Sequence, residues 1–196
     1  SSDQYVSVTD CQLCPPLFSE IAKTAESFFK DKKTNPAYLY IRGNRDLTQL
    51  CVVIGKGENA DRAELEVFAD GIREKYPQAV GVLVGSGKHP EENGSDLQIL
   101  KGRDFIEELF LGLSLKITAS SFFQVNTAAA ELLCKKAVEF INPGPNEYGV
   151  DLYCGTGIFG MAIAKLHSDV FVTGVEINKN AVADAKENAV ANGLSN

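Results

Sequence analysis

Apolar residues recur along the chain at two spacings, and these mark out its elements. From Pro16 to Lys30 the spacing is helical, with Phe18, Ile21, Ala22, Ala25, Phe28 and Phe29 on one face. A second helix is predicted over 59–76 with Leu65, Phe68, Ala69 and Ile72 inward. A third covers Thr127–Ile141, with Leu133, Ala137, Phe140 and Ile141 as its inner face. Short apolar runs predict strands at 4–8, 37–41, 49–54, 79–84, 97–100 and 114–118, the second and third joined as a hairpin through Arg42-Gly43-Asn44-Arg45-Asp46. Gly85 to Ser95 is turn-rich, and His89 within it reads as a surface histidine.

Past the turn Asn142-Pro143-Gly144-Pro145-Asn146 the pattern becomes strand, turn, helix, strand. A short strand ends at Asp151, and the glycine turn Gly155-Thr156-Gly157 follows. The next helix carries Phe159, Ala162, Ile163 and Leu166 on one face. The strand Val170–Val175 stops at Glu176, and Asn178 caps a last helix with Val182, Ala185 and Ala189 inward. Such a unit is the front end of a nucleotide-type binding sheet.

Two ligand classes fit it. Gly155, Gly157 and Gly160 satisfy G-x-G-x-x-G, and Glu176 lies about 20 residues on, as a dinucleotide fold requires. Asp151 argues for the other class. A pyrophosphate needs backbone N–H groups at a helix N-terminus, and a carboxylate just before that turn repels it. A ligand with a positive end, such as S-adenosylmethionine, suits Asp151, while Glu176 can accept hydrogen bonds from two ribose hydroxyls.

Composition narrows the setting. The chain has 196 residues, 44% hydrophobic and 23% charged, enough to bury one large or two small cores. No apolar run reaches the roughly 20 residues of a membrane helix, and Ser1–Val8 lacks a signal-peptide shape. Cys51, Cys134 and Cys154 lie in apolar stretches and read as buried free thiols of an intracellular protein, whether of cytoplasm, nucleus or mitochondrion. A net charge of −7 argues against nucleic-acid binding through bulk electrostatics. Arg42, Arg45 and Lys30–Lys33 are modest basic clusters that read as solvated surface. Cys11-x-x-Cys14 is half of a metal site with no second pair at suitable spacing, so no metal is expected. Ser1 in place of methionine, and the helix stop before Asn196, read as the ends of a fragment.

The loop Ser120-Ser121-Phe122-Phe123-Gln124-Val125-Asn126 carries two adjacent phenylalanines beside amides. Either they stack a base while an amide reads its edge, or they plug a seam between domains. Taken with Asp151-Leu152-Tyr153-Cys154-Gly155-Thr156-Gly157 and Gly174-Val175-Glu176-Ile177-Asn178, this loop resembles the RNA 5-methyluridine methyltransferases, the tRNA and ribosomal RNA uracil-5 enzymes. The resemblance is loose from Val6 and tight from about Gly112 onward. It implies an α/β chain: a central α+β domain over 1–118, then the first, incomplete part of a Rossmann-like methyltransferase domain over 119–196.

The resemblance also implies that Gln124, Tyr153 and Glu176 contact the methyl donor S-adenosylmethionine, beside Asp151, Gly155, Gly157 and the backbone of Ile158. Bacterial members often hold Asn at that last position. Phe122 matches the aromatic placed near the target base. Cys14 resembles one ligand of the cluster that iron–sulfur members hold, but the other three are absent and no cluster is expected. The family's nucleophilic cysteine and basic glutamate lie beyond residue 196, so no catalytic residue is assigned here. The chain alone is therefore expected to be inert and to bind the donor weakly or not at all. The implied partner is RNA, tRNA before ribosomal RNA, with no membrane contact. The rival classes are a non-catalytic RNA-binding module and a dinucleotide-dependent oxidoreductase.

Overall fold

The computed structural model describes residues 11–86, 89–90 and 96–196, and the strand expected at 4–8 lies outside them. Helix α1 (Pro16–Phe29) leads to strands β1 (Tyr38–Gly43) and β2 (Leu50–Gly55), helix α2 (Arg62–Lys75) and strands β3 (Ala79–Gly85) and β4 (Leu97–Gly102). Strands β5 (Phe105–Phe110) and β6 (Leu113–Thr118) precede α3 (Thr127–Ile141). The chain then runs through β7 (Tyr148–Leu152), α4 (Ile158–Leu166), β8 (Phe171–Val175) and α5 (Lys179–Ala191).

The first four strands form one sheet in the order β1-β2-β3-β4, with β2 and β3 parallel across α2 and the outer pairs antiparallel. Strand β2 is buried on both faces. Leu50, Val52 and Ile54 pack with Ile21, Phe29, Phe68 and Ile72 of α1 and α2. Cys51 and Val53 face the opposite way, into a second cluster with Ile106, Leu115, Phe123, Cys134 and Met161. That second cluster draws on residues from both sides of position 118, so the glycine-turn unit shares a core with the first sheet.

Helix α2 begins at Arg62, three residues later than its pattern suggests, because Asp61 caps it by accepting from Ala63 N at 2.8 Å. Buried Thr34 reinforces this end: its Oγ1 accepts from Asp61 N at 2.9 Å and its N–H donates to Glu64 at 2.9 Å. Helix α1 buries Ile21, Ala25 and Phe29, while Ala22 is exposed.

One strand escapes the sequence pattern. β5 pairs with β6 across Leu111-Gly112, both at positive φ (49° and 75°), as a two-residue type I′ hairpin requires. Its inner face is Ile106, Glu108 and Phe110, and the carboxylate in the middle hides the alternation. Glu108 is buried and accepts from Arg45 N at 2.8 Å and Leu109 N at 3.0 Å.

Two helices turn a different face inward from the one expected. α3 buries Thr127, Ala130, Cys134 and Val138, whereas Leu133, Phe140 and Ile141 are exposed. The small side chains Ala130 and Cys134 pack into the cluster that also holds hairpin and α4 residues, while Ala137 and Ile141 line a groove of about 360 Å³ against β7. α5 buries Ala181, Asp184 and Asn188, leaving Val182, Ala185 and Ala189 half-buried. The cause is the open edge of β6. Asn188 accepts from Lys116 N at 2.7 Å and donates to Lys116 O at 2.9 Å. One helical turn on, Asn192 repeats this with Ser114 N and O at 2.9 and 2.8 Å. A four-residue step along a helix rises about 6 Å and a two-residue step along a strand about 6.7 Å, so the amides stay in register with the strand. In α4, Met161, Ala162, Ile163 and Ala164 are buried, but Leu166 is exposed.

Candidate functional site

β7 and β8 run parallel, joined by α4, with Asp151 opposite Gly174 and Leu152 opposite Val175. Both strands therefore end on the same side, and the glycine turn crosses there. Tyr153 leaves β7 at φ +61°, a left-handed conformation that costs a non-glycine residue energy, and its side chain is 88% exposed. Gly155 (φ +55°) and Gly157 (φ +79°) complete the turn. Added at Gly155, a Cβ would meet no atom within 4 Å; at Gly157 it would lie 3.1 Å from Ala185 Cβ. Gly160 lets α4 approach the sheet, since a Cβ there would lie 3.2 Å from Val172.

The two carboxylates grip this turn from opposite strands. Asp151 Oδ2 accepts from Gly160 N at 3.2 Å and so caps α4, whose N-cap Gly157 has no side chain to do it. Glu176 Oε2 accepts from Gly155 N at 3.0 Å and its Oε1 from Asn178 N at 2.8 Å. An ionised carboxylate has about four acceptor positions, which leaves Glu176 capacity for two more donors. The Asn178 N–H, with that of Gly155, holds the Glu176 carboxyl below its usual range despite partial burial. Burial pushes Asp151 the other way, only partly offset by the Gly160 N–H. A carboxylate destabilised by desolvation gains most from a cationic neighbour, and suits a diphosphate poorly.

Thr156, between the two glycines, buries its Oγ1 with no partner among the described residues. That orphaned hydroxyl, the vacant space beside Gly155 and the free acceptor positions of Glu176 fit an adenosine-bearing ligand with a positive end. Sequence reasoning missed Thr156, because a small hydroxyl in a glycine turn carries no periodic signal.

Glu176 is thus bonded to Gly155 and Asp151 to Gly160, with Gly157 and Ile158 at the start of α4 between them. Phe122 and Gln124 are exposed on the loop between β6 and α3, apart from the turn's hydrogen bonds. The two phenylalanines divide the readings made of them. Phe123 is buried edge-on against Phe110 at 6.2 Å and fills the seam, while Phe122 is 61% exposed. Of the two arginines expected on the surface, Arg42 is instead buried and donates to Tyr40 Oη at 2.6 Å, while Arg45 is exposed and pairs with Glu131 at 2.9 Å.

None of the thiols in the core is poised for attack. Burial pushes Cys51 up to about 12 and Cys134 up to about 11. Cys154 is half-buried rather than buried, and it too is raised, by desolvation and then by the charges of Asp151 and Glu176. Among the described residues no group of three or more His, Cys, Asp or Glu could hold a metal ion, and no helix is long and apolar enough to cross a membrane.

Known proteins are similar to this chain in sequence and fold. A methyltransferase-domain family model matches residues 145–196. An RNA methyltransferase of Caldanaerobacter subterraneus is 37% identical over 179 residues, covering 86% of this chain and 38% of its own length. One from Clostridium tetani is 32% identical, covering 97% and 44%. A human tRNA (uracil-5-)-methyltransferase homolog B is 27% identical, covering 93% and 40%. Among solved structures, the Pyrococcus abyssi tRNA (uracil-54, C5)-methyltransferase, in complex with S-adenosyl-L-homocysteine, superposes with a TM-score of 0.72. It is 21% identical, covers 98% of this chain and 48% of that one, and shows the same fold. The chain spans less than half the length of these relatives. With its glycine turn between two carboxylates, the chain is similar over most of its length to RNA methyltransferases, and its residues 145–196 match a methyltransferase domain.

Proposed function

We propose that the whole protein transfers a methyl group from S-adenosylmethionine to C5 of a uridine in RNA, with tRNA the favoured substrate. The observation that carries this reading is the pair of carboxylates at the ends of adjacent parallel strands, Asp151 and Glu176, meeting one glycine turn. When bound, S-adenosylmethionine supplies an electrophilic methyl group on a sulfonium. Glu176 accepts from the ribose hydroxyls, Asp151 stabilises the positive amino-acid end, and Gly155, Gly157 and the Ile158 backbone allow close approach. Tyr153 and Gln124 close over the donor, and Phe122 stacks on the target base. Residues 1–118 serve as the accessory domain and 119–196 as the first part of the catalytic domain.

The uridine names of the human and Pyrococcus relatives support the choice of base. Uracil C5 becomes nucleophilic enough only after a thiolate adds at C6. Cys51 and Cys134 are buried and Cys154 lies beside two carboxylates, so none of the three suits that step, and the family resemblance implies a nucleophile beyond residue 196. Residues 1–196 alone are accordingly predicted to be inactive.

The test incubates the full-length protein with S-adenosylmethionine and an unmodified tRNA transcript, then digests the RNA to nucleosides for mass spectrometry. 5-Methyluridine is expected from the full-length protein and not from residues 1–196. A methyl group on another base, or no methylation of tRNA or ribosomal RNA, would overturn the proposal.

A further inference from the structure

We propose that Asp184 is a positioning residue that fixes the loop carrying Phe122 and Gln124 relative to Glu176. This rests on the roles proposed above for those three side chains. The loop is exposed at its middle but fastened at both ends. At its start, Ser121 is fully buried and donates its hydroxyl to Asp184 Oδ2 at 2.5 Å. Thr118, the last residue of β6, donates to the same oxygen at 2.8 Å. At its end, Asn126 caps α3 by accepting from Ala129 N at 2.9 Å, and Thr127 reaches the buried Glu108 at 3.4 Å.

Asp184 is itself 5% exposed. No ion pair of its own is present among the described residues, although Lys116 is near enough to feel its charge. A buried carboxylate without a direct counter-ion is costly, and an apolar side chain would fill the space at less cost. What an apolar residue cannot do is accept two hydroxyls and so dictate where the loop leaves the strand.

The other half of the argument is the element on which Asp184 sits. α5 starts at Asn178, whose N–H is held by Glu176 and whose side chain caps the helix through Asn180 N and Ala181 N. From Asn178, held by Glu176, to Asp184 the link is thus a capped helical segment, about 9 Å long at 1.5 Å per residue. One rigid piece connects the carboxylate assigned to the donor with the loop assigned to the base. The amide ladder of Asn188 and Asn192 on β6 holds α5 in place independently, so loss of the Asp184 carboxylate frees the loop without moving the helix.

The experiment uses the full-length protein with Asp184→Ala, Asp184→Asn and Phe122→Ala. Amide exchange is followed over 119–126 and over α5, and kcat and KM are measured with S-adenosylmethionine and a tRNA transcript. For Asp184→Ala, exchange in the loop is expected to rise tenfold or more while α5 is little changed, and kcat to fall about 10- to 100-fold with KM for the donor nearly constant. Asp184→Asn keeps an acceptor oxygen and restores most of the rate. If Asp184→Ala does not fold, Ser121→Ala removes the same bond from the loop side and is expected to loosen the loop in the same way. Unchanged loop exchange, or full kcat in folded Asp184→Ala, overturns the inference. A Phe122→Ala protein with normal kinetics overturns the role given to the loop instead, and the exchange data still decide whether Asp184 anchors it.

Discussion

At Gly157 the backbone sits at φ +79°, and a Cβ there would press to 3.1 Å from Ala185. Gly157→Ala therefore meets both a conformational and a steric cost, and is expected to lower stability by about 1–2 kcal/mol in urea titration. The two carboxylates titrate in opposite senses. The folded value of Glu176 lies below its ordinary 4.5, so its contribution is complete above that pH and is lost as pH falls through the lower folded value. Asp151 lies above its ordinary 3.8, so the folded state holds its proton more tightly and stability falls as pH rises from 3.8 through the folded value. Asp151→Asn keeps an acceptor for Gly160 N but removes the charge. It is expected to raise the melting temperature at pH 7 in the absence of ligand while weakening S-adenosylmethionine binding. A lower melting temperature for this variant would contradict the reading of Asp151 as a strained charge kept for a cation. These residues were legible in the sequence because a carboxylate at a strand end and glycines in a turn are local signals. Thr156 and Ser121 were not, since their meaning depends on burial and on partners far along the chain.

Among the elements, α5 shows why inward faces are harder to read than boundaries. Its caps at Asn178 and its period are plain in the sequence, yet the face it buries is polar: Asp184 and Asn188 toward β6. Hydrophobic periodicity assumes an apolar partner, and the partner here is a strand edge with unpaired backbone groups. β5 was hidden for the same reason, with Glu108 at the centre of its buried face. Asn188→Ala leaves the Lys116 N–H and C=O without these partners and is predicted to cost about 1–3 kcal/mol. The measurement is a urea midpoint, with an unchanged slope showing that the fold persists. A loss below about 0.5 kcal/mol would mean that water replaces the ladder without penalty.

Across the whole molecule, β2 and β3 are the shared wall between two cores. Leu83 is fully buried in the cluster that also holds Phe123 of the loop, Cys134 of α3 and Met161 of α4. Leu83→Ala is thus expected to lose about 2–5 kcal/mol and to loosen the glycine-turn unit along with the first sheet, visible as faster amide exchange in α3 and α4. Faster exchange confined to residues before 118 would show that the two parts are energetically separate. The same continuity means that the site is carried on a scaffold reaching back to α1 and α2. The most direct test of the central claim, a turn held between two carboxylates for a cationic methyl donor, is the melting temperature of the full-length protein with S-adenosylmethionine and with NAD. At a ligand concentration of about 100 times Kd, linkage predicts about 2.7 kcal/mol of added stability from S-adenosylmethionine, lost in Glu176→Ala, and no shift from NAD. A rise with NAD and none with S-adenosylmethionine would contradict the account.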